Sequence, residues 1–106
     1  MVAAHDIFAV IDDIAAAHHP EAVVLFGSYS RGEGTADSDV DLLIVKPYLG
    51  AAYREATRIR ASLNRTFAMD LVVRSPQEIV DRSKMDSAFL SGIFEQGIVL
   101  YDFRNL

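Results

Sequence analysis

Residues 22–45 read AVVLFGSYSRGEGTADSDVDLLIV, and this stretch decides the fold. Ala22 to Phe26 are all apolar, the run breaks at Gly27, and a polar loop rich in glycine and serine follows. A second run, Val40 to Val45, is apolar except for Asp41. Short apolar runs bounded by turn residues read as buried strands, which predicts strands over 22–27 and 40–45. Side chains alternate faces along a strand, so Asp39 and Asp41 point to one side and Val40 to the other. The ordinary strand rise leaves these two carboxylates about 7 Å apart along the backbone. Charge at the mouth of a buried strand is expensive, and two neighbouring acids each resist ionising. Something must offset them.

Working outward, Ile7, Val10, Ile11 and Ile14 recur at helical spacing and predict an amphipathic helix over about 3–18. His19-Pro20 ends it, because the residue before proline is pushed out of the helical region. Downstream, Ala52, Ala56, Ile59 and Leu63 form a second stripe within roughly 50–66, and AMDLVV (68–73) reads as a third strand. Ser75-Pro76-Gln77-Glu78 carries a capping box with proline at the first helical position, so a short helix begins there. A further helix over about 86–96 presents Phe89, Leu90, Ile93 and Phe94, with Gly97 placed to stop it. IVLYDF (98–103) closes the chain as a last strand. Interleaved helices and strands predict an α/β or α+β domain: a small mixed β-sheet flanked by helices, spanning residues 1–106 as one unit.

Composition narrows the function. The 106 residues are 51% hydrophobic, enough for one core, and contain no cysteine for a disulfide framework or thiolate metal site. No signal-like leader and no apolar run of membrane-spanning length is seen, so a soluble cytoplasmic protein with no membrane partner is expected. A net charge of -5 argues against gripping nucleic acid by bulk electrostatics. It leaves room for a small anionic ligand whose charge is offset by metal ions.

Asp70 repeats the acid-in-apolar-run pattern on the third strand, between Met69 and Leu71. If that strand lies beside the second, Asp70 completes a cluster of three carboxylates with Asp39 and Asp41. Oxygen-only ligands favour a hard divalent ion such as Mg²⁺ or Mn²⁺. Asp37 belongs to turn chemistry, TADS. The competing explanations are that Asp39 caps a turn while Asp41 and Asp70 sit on a solvated face, and, better for Asp41 and Asp70, that they pair with an arginine. Gly27 lets the backbone approach a ligand closely. The N–H groups after it and the Ser28 hydroxyl suit phosphate oxygens, particularly if Tyr29 to Arg31 begin a helical turn, and Arg31 is a charge-matched partner for phosphate.

Gly27-Ser28, ten residues, then Asp39-x-Asp41, with Arg31-Gly32 inside and Asp70 on a later strand, resembles the DNA polymerase β-type nucleotidyltransferases. Within them the chain is similar to the minimal nucleotidyltransferases. The resemblance implies their fold, with Asp39 and Asp41 binding two Mg²⁺ ions and Asp70 binding one. It implies that Asp70 orients or deprotonates the attacking hydroxyl, and that Gly27, Ser28 and Arg31 hold the triphosphate of ATP. It further implies an antitoxin that adds AMP to a tyrosine of a helical HEPN-domain toxin. Two alternatives stand beside this: a subunit of a two-component transferase acting on a small molecule such as an aminoglycoside, and a non-catalytic antitoxin that neutralises by binding.

Other features read as structural. Arg54, Arg58 and Arg65 share one side of their helix and read as a solvated face; His5, His18 and His19 read as surface residues. Phe89, Phe94 and Tyr101 are expected in the core. Lys46, after the second strand, is a candidate to approach the nucleotide, and Tyr29 and Tyr48 are candidates to touch the adenine.

Overall fold

The computed structural model describes every residue except 65, 66, 82, 85 and 106. Helix α1 (Ala4–His18) buries Ile7, Val10, Ile11 and Ile14, the predicted stripe. It ends where His19 takes a left-handed conformation ahead of Pro20, its N–H still bonded to the Ala15 carbonyl at 3.2 Å. Strand β1 (Ala22–Phe26) leads through a 3₁₀ turn (Ser28–Arg31) and a loop to β2 (Val40–Val45). Helix α2 (Ala52–Ala61), β3 (Met69–Arg74), the short α3 (Pro76–Val80), α4 (Ser87–Gln96) and β4 (Ile98–Asp102) complete the order, before a closing 3₁₀ turn (Phe103–Asn105).

The strands form one mixed sheet in the order β3-β2-β1-β4. β1 is antiparallel to β2 and β4, whereas β2 and β3 run parallel. The expected small mixed sheet flanked by helices is borne out. Alternation divides the sheet into two faces. Val23, Leu25, Val40, Leu42, Ile44, Leu71 and Val73 pack beneath α1 and α2. Val24, Leu43 and Val45 pack against Leu90 and Ile93 of α4. Burying side chains such as Ile14, Leu42, Ile44 and Ile59, each fully enclosed, stabilises by about 1.5–3 kcal/mol apiece. The α4 face has the smaller core, and that is where the acids stand.

Several expectations need correction. Helix α2 stops at Ala61 rather than near residue 66, its C-cap at Ser62 bonding back to the Ile59 and Arg60 carbonyls; Leu63 packs on the core from beyond the helix. Arg65 lies outside the described residues. Phe89 and Phe94 are not core residues: they are 46% and 42% exposed, because Leu90 and Ile93 take the contact with the sheet. Tyr101 is partly buried against the α1–α2 core. His5 and His19 are exposed, but His18 is half-buried and hydrogen-bonds the Ser62 hydroxyl at 2.7 Å, tying the end of α1 to the end of α2.

Candidate active site

β1 ends and β2 begins at the same end of the sheet. Phe26 is the register partner of Asp41, so the turn after Phe26 and the start of β2 face one another. Parallel pairing then makes Asp41 the partner of Asp70 on β3. By alternation, Asp39, Asp41 and Asp70 share the α4 face with Leu43, Val45 and Val72. Asp41 is half-buried, while Asp39 and Asp70 are exposed.

Gly27 makes this closeness workable. Its φ of 75° and ψ of -157° suit glycine alone, and a Cβ there would sit 3.0 Å from Cγ of Asp41 and nearer still to its Oδ2. The Asp41 carboxylate therefore lies directly on the backbone at the end of β1. The Gly27 carbonyl accepts from the Ser30 hydroxyl at 2.7 Å and the Ser30 N–H at 3.1 Å, which closes the 3₁₀ turn. Among the described residues, none takes the Ser28 hydroxyl. The expected helical turn after Gly27 is present as this 3₁₀ turn.

Burial pushes the Asp41 carboxyl above its usual range, and Asp70 and Asp39 push it further; the charge of Arg31 opposes them. Arginine pairing does not explain these acids. Among the described residues no lysine, arginine or histidine forms an ion pair with Asp39, Asp41 or Asp70, and Arg31 itself pairs with Glu33 at 2.7 Å. Nor, among those residues, are three His, Asp or Glu side chains drawn together as a ready-made cation cage. The donor set still fits a hard divalent ion: carboxylate oxygens only, one of the groups partly desolvated, on or beside adjoining strands, with none ion-paired among the described residues.

Two sequence candidates fall away. Lys46 and Tyr48 follow the far end of β2, which lies about 13 Å from Asp41 by strand rise. There Lys46 pairs with the buried Glu55, and the Tyr48 hydroxyl donates to Glu78 at 2.7 Å. Tyr29 is near the site, but its ring packs on the core, and its hydroxyl accepts from the Val2 N–H at 2.9 Å. What sequence reasoning missed is the aromatic beside the turn: Phe89 meets Phe26 edge to face, centroids 6.0 Å apart and planes at 87°. Its helical spacing alone gave no sign that it faced outward.

A mixed sheet with acids across β2 and β3, set beside a Gly-Ser turn, is the arrangement that the resemblance to nucleotidyltransferases implies. The family described as "Polymerase beta, Nucleotidyltransferase" matches residues 10–105. The chain belongs to that family and is a nucleotidyltransferase, of the small kind its residues resemble. It is 33% identical over 79 residues to the "Putative protein adenylyltransferase MJ0604" of Methanocaldococcus jannaschii, covering 74% of this chain and 76% of that one. Among solved structures, one described as a "putative nucleotidyltransferase" from Sulfolobus solfataricus superposes with a TM-score of 0.66 at 16% identity, over 94% of this chain and 80% of that chain. A toxin-antitoxin solved with AMP-PNP gives 0.56 at 22% identity, over 95% and 74%. At those identities the two structures speak for the fold alone. Among the described residues, no helix is long and apolar enough to cross a membrane.

Proposed function

We propose that this nucleotidyltransferase moves AMP from ATP to a hydroxyl of a partner protein, acting as an antitoxin on a tyrosine of a helical HEPN-domain toxin. The observation that carries the reading is the register pairing of Asp41 with Asp70, with Asp41 seated on Gly27 and, among the described residues, no ion pair to either acid. The name of the Methanocaldococcus relative and the toxin-antitoxin neighbour support the choice of a protein acceptor and an adenine nucleotide.

In this reading Asp39 and Asp41 hold two Mg²⁺ ions and Asp70 holds one of them. When bound, Mg²⁺ neutralises phosphate charge and polarises the α-phosphate. The protein's own groups do the positioning. The turn at Gly27 and Ser28 holds the triphosphate, with Arg31 as charge support, and Asp70 orients the acceptor hydroxyl and takes its proton. The acceptor oxygen bonds to the α-phosphorus as the bond to pyrophosphate breaks, and pyrophosphate leaves from the Ser28 side. Positioning and charge neutralisation supply most of the rate in such transfers. The cytoplasm, where ATP and Mg²⁺ are at hand, is the proposed location.

Mixing the purified chain with a HEPN-domain partner, ATP and Mg²⁺ tests this. Mass spectrometry should find the partner heavier by one or more AMP units on a tyrosine, and Asp39→Asn or Asp41→Asn should abolish the gain in a folded protein. Full transfer by both variants, or toxin neutralisation that needs no ATP and survives Asp39→Asn, would overturn it.

A further inference from the structure

A cleft of about 310 Å³ opens beside the Gly-Ser turn, on the same face of the sheet as Asp41. Gly27, Ser30 and Arg31 line its turn side, Phe26 its floor, and Phe89, Gly92 and Gln96 of α4 its far wall. We infer that this cleft seats the base of the bound nucleotide, with the ring of Phe89 as its stacking platform. The inference rests on the reading of Gly27 and Ser28 as the triphosphate cradle and names where the rest of the nucleotide goes.

The cleft is continuous with the proposed phosphate cradle. The cleft shares Gly27 and Arg31 with the proposed cradle, and its floor residue Phe26 is the register partner of Asp41. A nucleotide whose α-phosphate lies over Asp41 has this cleft one cross-strand step away, about 5 Å.

Tyr48 stands at the other end of β2, and Tyr29 has its ring on the core and its hydroxyl engaged. Phe89 has nearly half its surface free, and its edge-to-face contact with Phe26 fixes the ring while leaving area for a planar ligand. Exposed aromatics beside a phosphate-binding turn suit bases because every base has a π-face.

Gly92 lies inside α4, where glycine is a poorer helix former than alanine, and a Cβ there would meet nothing within 4 Å. Packing does not call for glycine at this position; an open cleft wall does. Gln96 ends the same wall with an amide that both donates and accepts, the pattern that pairs with the edge of adenine.

The test uses the full chain, isothermal titration with ATP in Mg²⁺, and inorganic tripolyphosphate as a ligand that has the phosphates without the base. Phe89→Ala should weaken ATP roughly tenfold and leave tripolyphosphate unchanged. Gly92→Leu, which fills the cleft without touching the core, should do the same at undiminished thermal stability. Equal losses for both ligands, or unchanged ATP affinity in both variants, would overturn the inference. So would a rise in KM for the acceptor alone, since that would make the cleft the acceptor's seat. Wild-type protein that binds neither ligand would instead sink the cradle reading, and this inference with it.

Discussion

The carboxylate of Asp41 occupies the space that a side chain at residue 27 would need: a Cβ on Gly27 would fall 3.0 Å from Asp41 Cγ, closer to Oδ2, and at a φ of 75°. Strand β1 can end against the first acid of β2 only because that position has no side chain. Gly27→Ala must therefore either shift the Asp41 carboxylate or bend the turn, and both displace the site. The expected cost is about 1–3 kcal/mol of stability. Transfer activity should fall by about a hundredfold or more, because a displacement near 1 Å is enough for that. Urea unfolding and an AMP-transfer assay on one preparation check both, and a variant with wild-type activity would show that Asp41 is not held by this contact.

Asp41 also sets a pH dependence whose sign follows from its surroundings. Its carboxyl is raised first by burial, then by Asp70 and Asp39. The folded protein then binds a proton more tightly than the unfolded chain, so stability falls as pH rises from the ordinary aspartate value of 3.8 through the raised one. At neutral pH the ionised acid is a destabilising group. Asp41→Asn should thus raise the melting temperature at pH 7 by a few degrees. The gain should vanish below about pH 3.8, where both forms are neutral. If Asp39, Asp41 and Asp70 hold Mg²⁺, adding it should raise the melting temperature of the wild type and leave Asp41→Asn nearly unmoved. Melting curves from pH 3 to 8, with and without Mg²⁺, decide between these outcomes.

Local chemistry made most elements legible. Ser75 accepts from the Glu78 N–H at 3.2 Å and Glu78 accepts from the Ser75 N–H at 2.9 Å, the capping box that four residues announce. The runs 22–26 and 40–45 are short, rich in valine, leucine and isoleucine, and bounded by turn residues, which is why they read as strands and are strands. Placement in space was legible only in part. That Asp70 lies beside Asp41 depends on which strands pair, a non-local fact the chain does not spell out. Lys46 and Tyr48 follow Asp41 within a few residues, yet strand direction carries them to the opposite end of the sheet. Phe89 and Phe94 carry the apolar signal of a core helix, but two side chains per turn are all that a narrow face admits, and Leu90 and Ile93 hold those places.

At that opposite end, Glu55 is only 6% exposed and receives both Lys46 and Arg58. Glu55→Ala leaves the largely buried Lys46 ammonium without its partner, a loss of roughly 3 kcal/mol. Arg58→Ala, at a side chain 67% exposed, should cost about 0.5 kcal/mol or less. The Lys46 hydrogen bond holds the Glu55 carboxyl below its usual 4.5 against the opposing effect of burial, with Arg58 adding to the lowering. This contribution is fully present above about pH 4.5 and fades as pH falls through the lowered value. Denaturant melts of the two variants should keep this order at pH 7. Transfer activity of folded Glu55→Ala should match the wild type, since Glu55 and Asp41 stand at opposite ends of β2.

Tyr29 braces the 3₁₀ turn from the other face of the sheet. Its hydroxyl accepts from the Val2 N–H at 2.9 Å and donates to the Thr35 carbonyl at 3.4 Å, and its ring fills the space beside Gly34, where a Cβ would come within 2.8 Å of it. Ring and hydroxyl make separable contributions. Tyr29→Phe keeps the ring in place and gives up two hydrogen bonds, one of them long, so the loss should be about 1 kcal/mol with activity held within a few-fold. Gly34→Ala keeps the hydroxyl but forces the ring aside, and the ring is attached to the residue after Ser28. The turn must then move with it, so Gly34→Ala should weaken ATP binding and slow transfer more than Tyr29→Phe does, by about tenfold, even where its stability loss is no larger. Paired ATP titrations and urea melts separate the two effects. The reverse order, with the phenylalanine variant the more damaged in binding, would mean that the N-terminal hydrogen bond rather than the ring holds Ser28 in place.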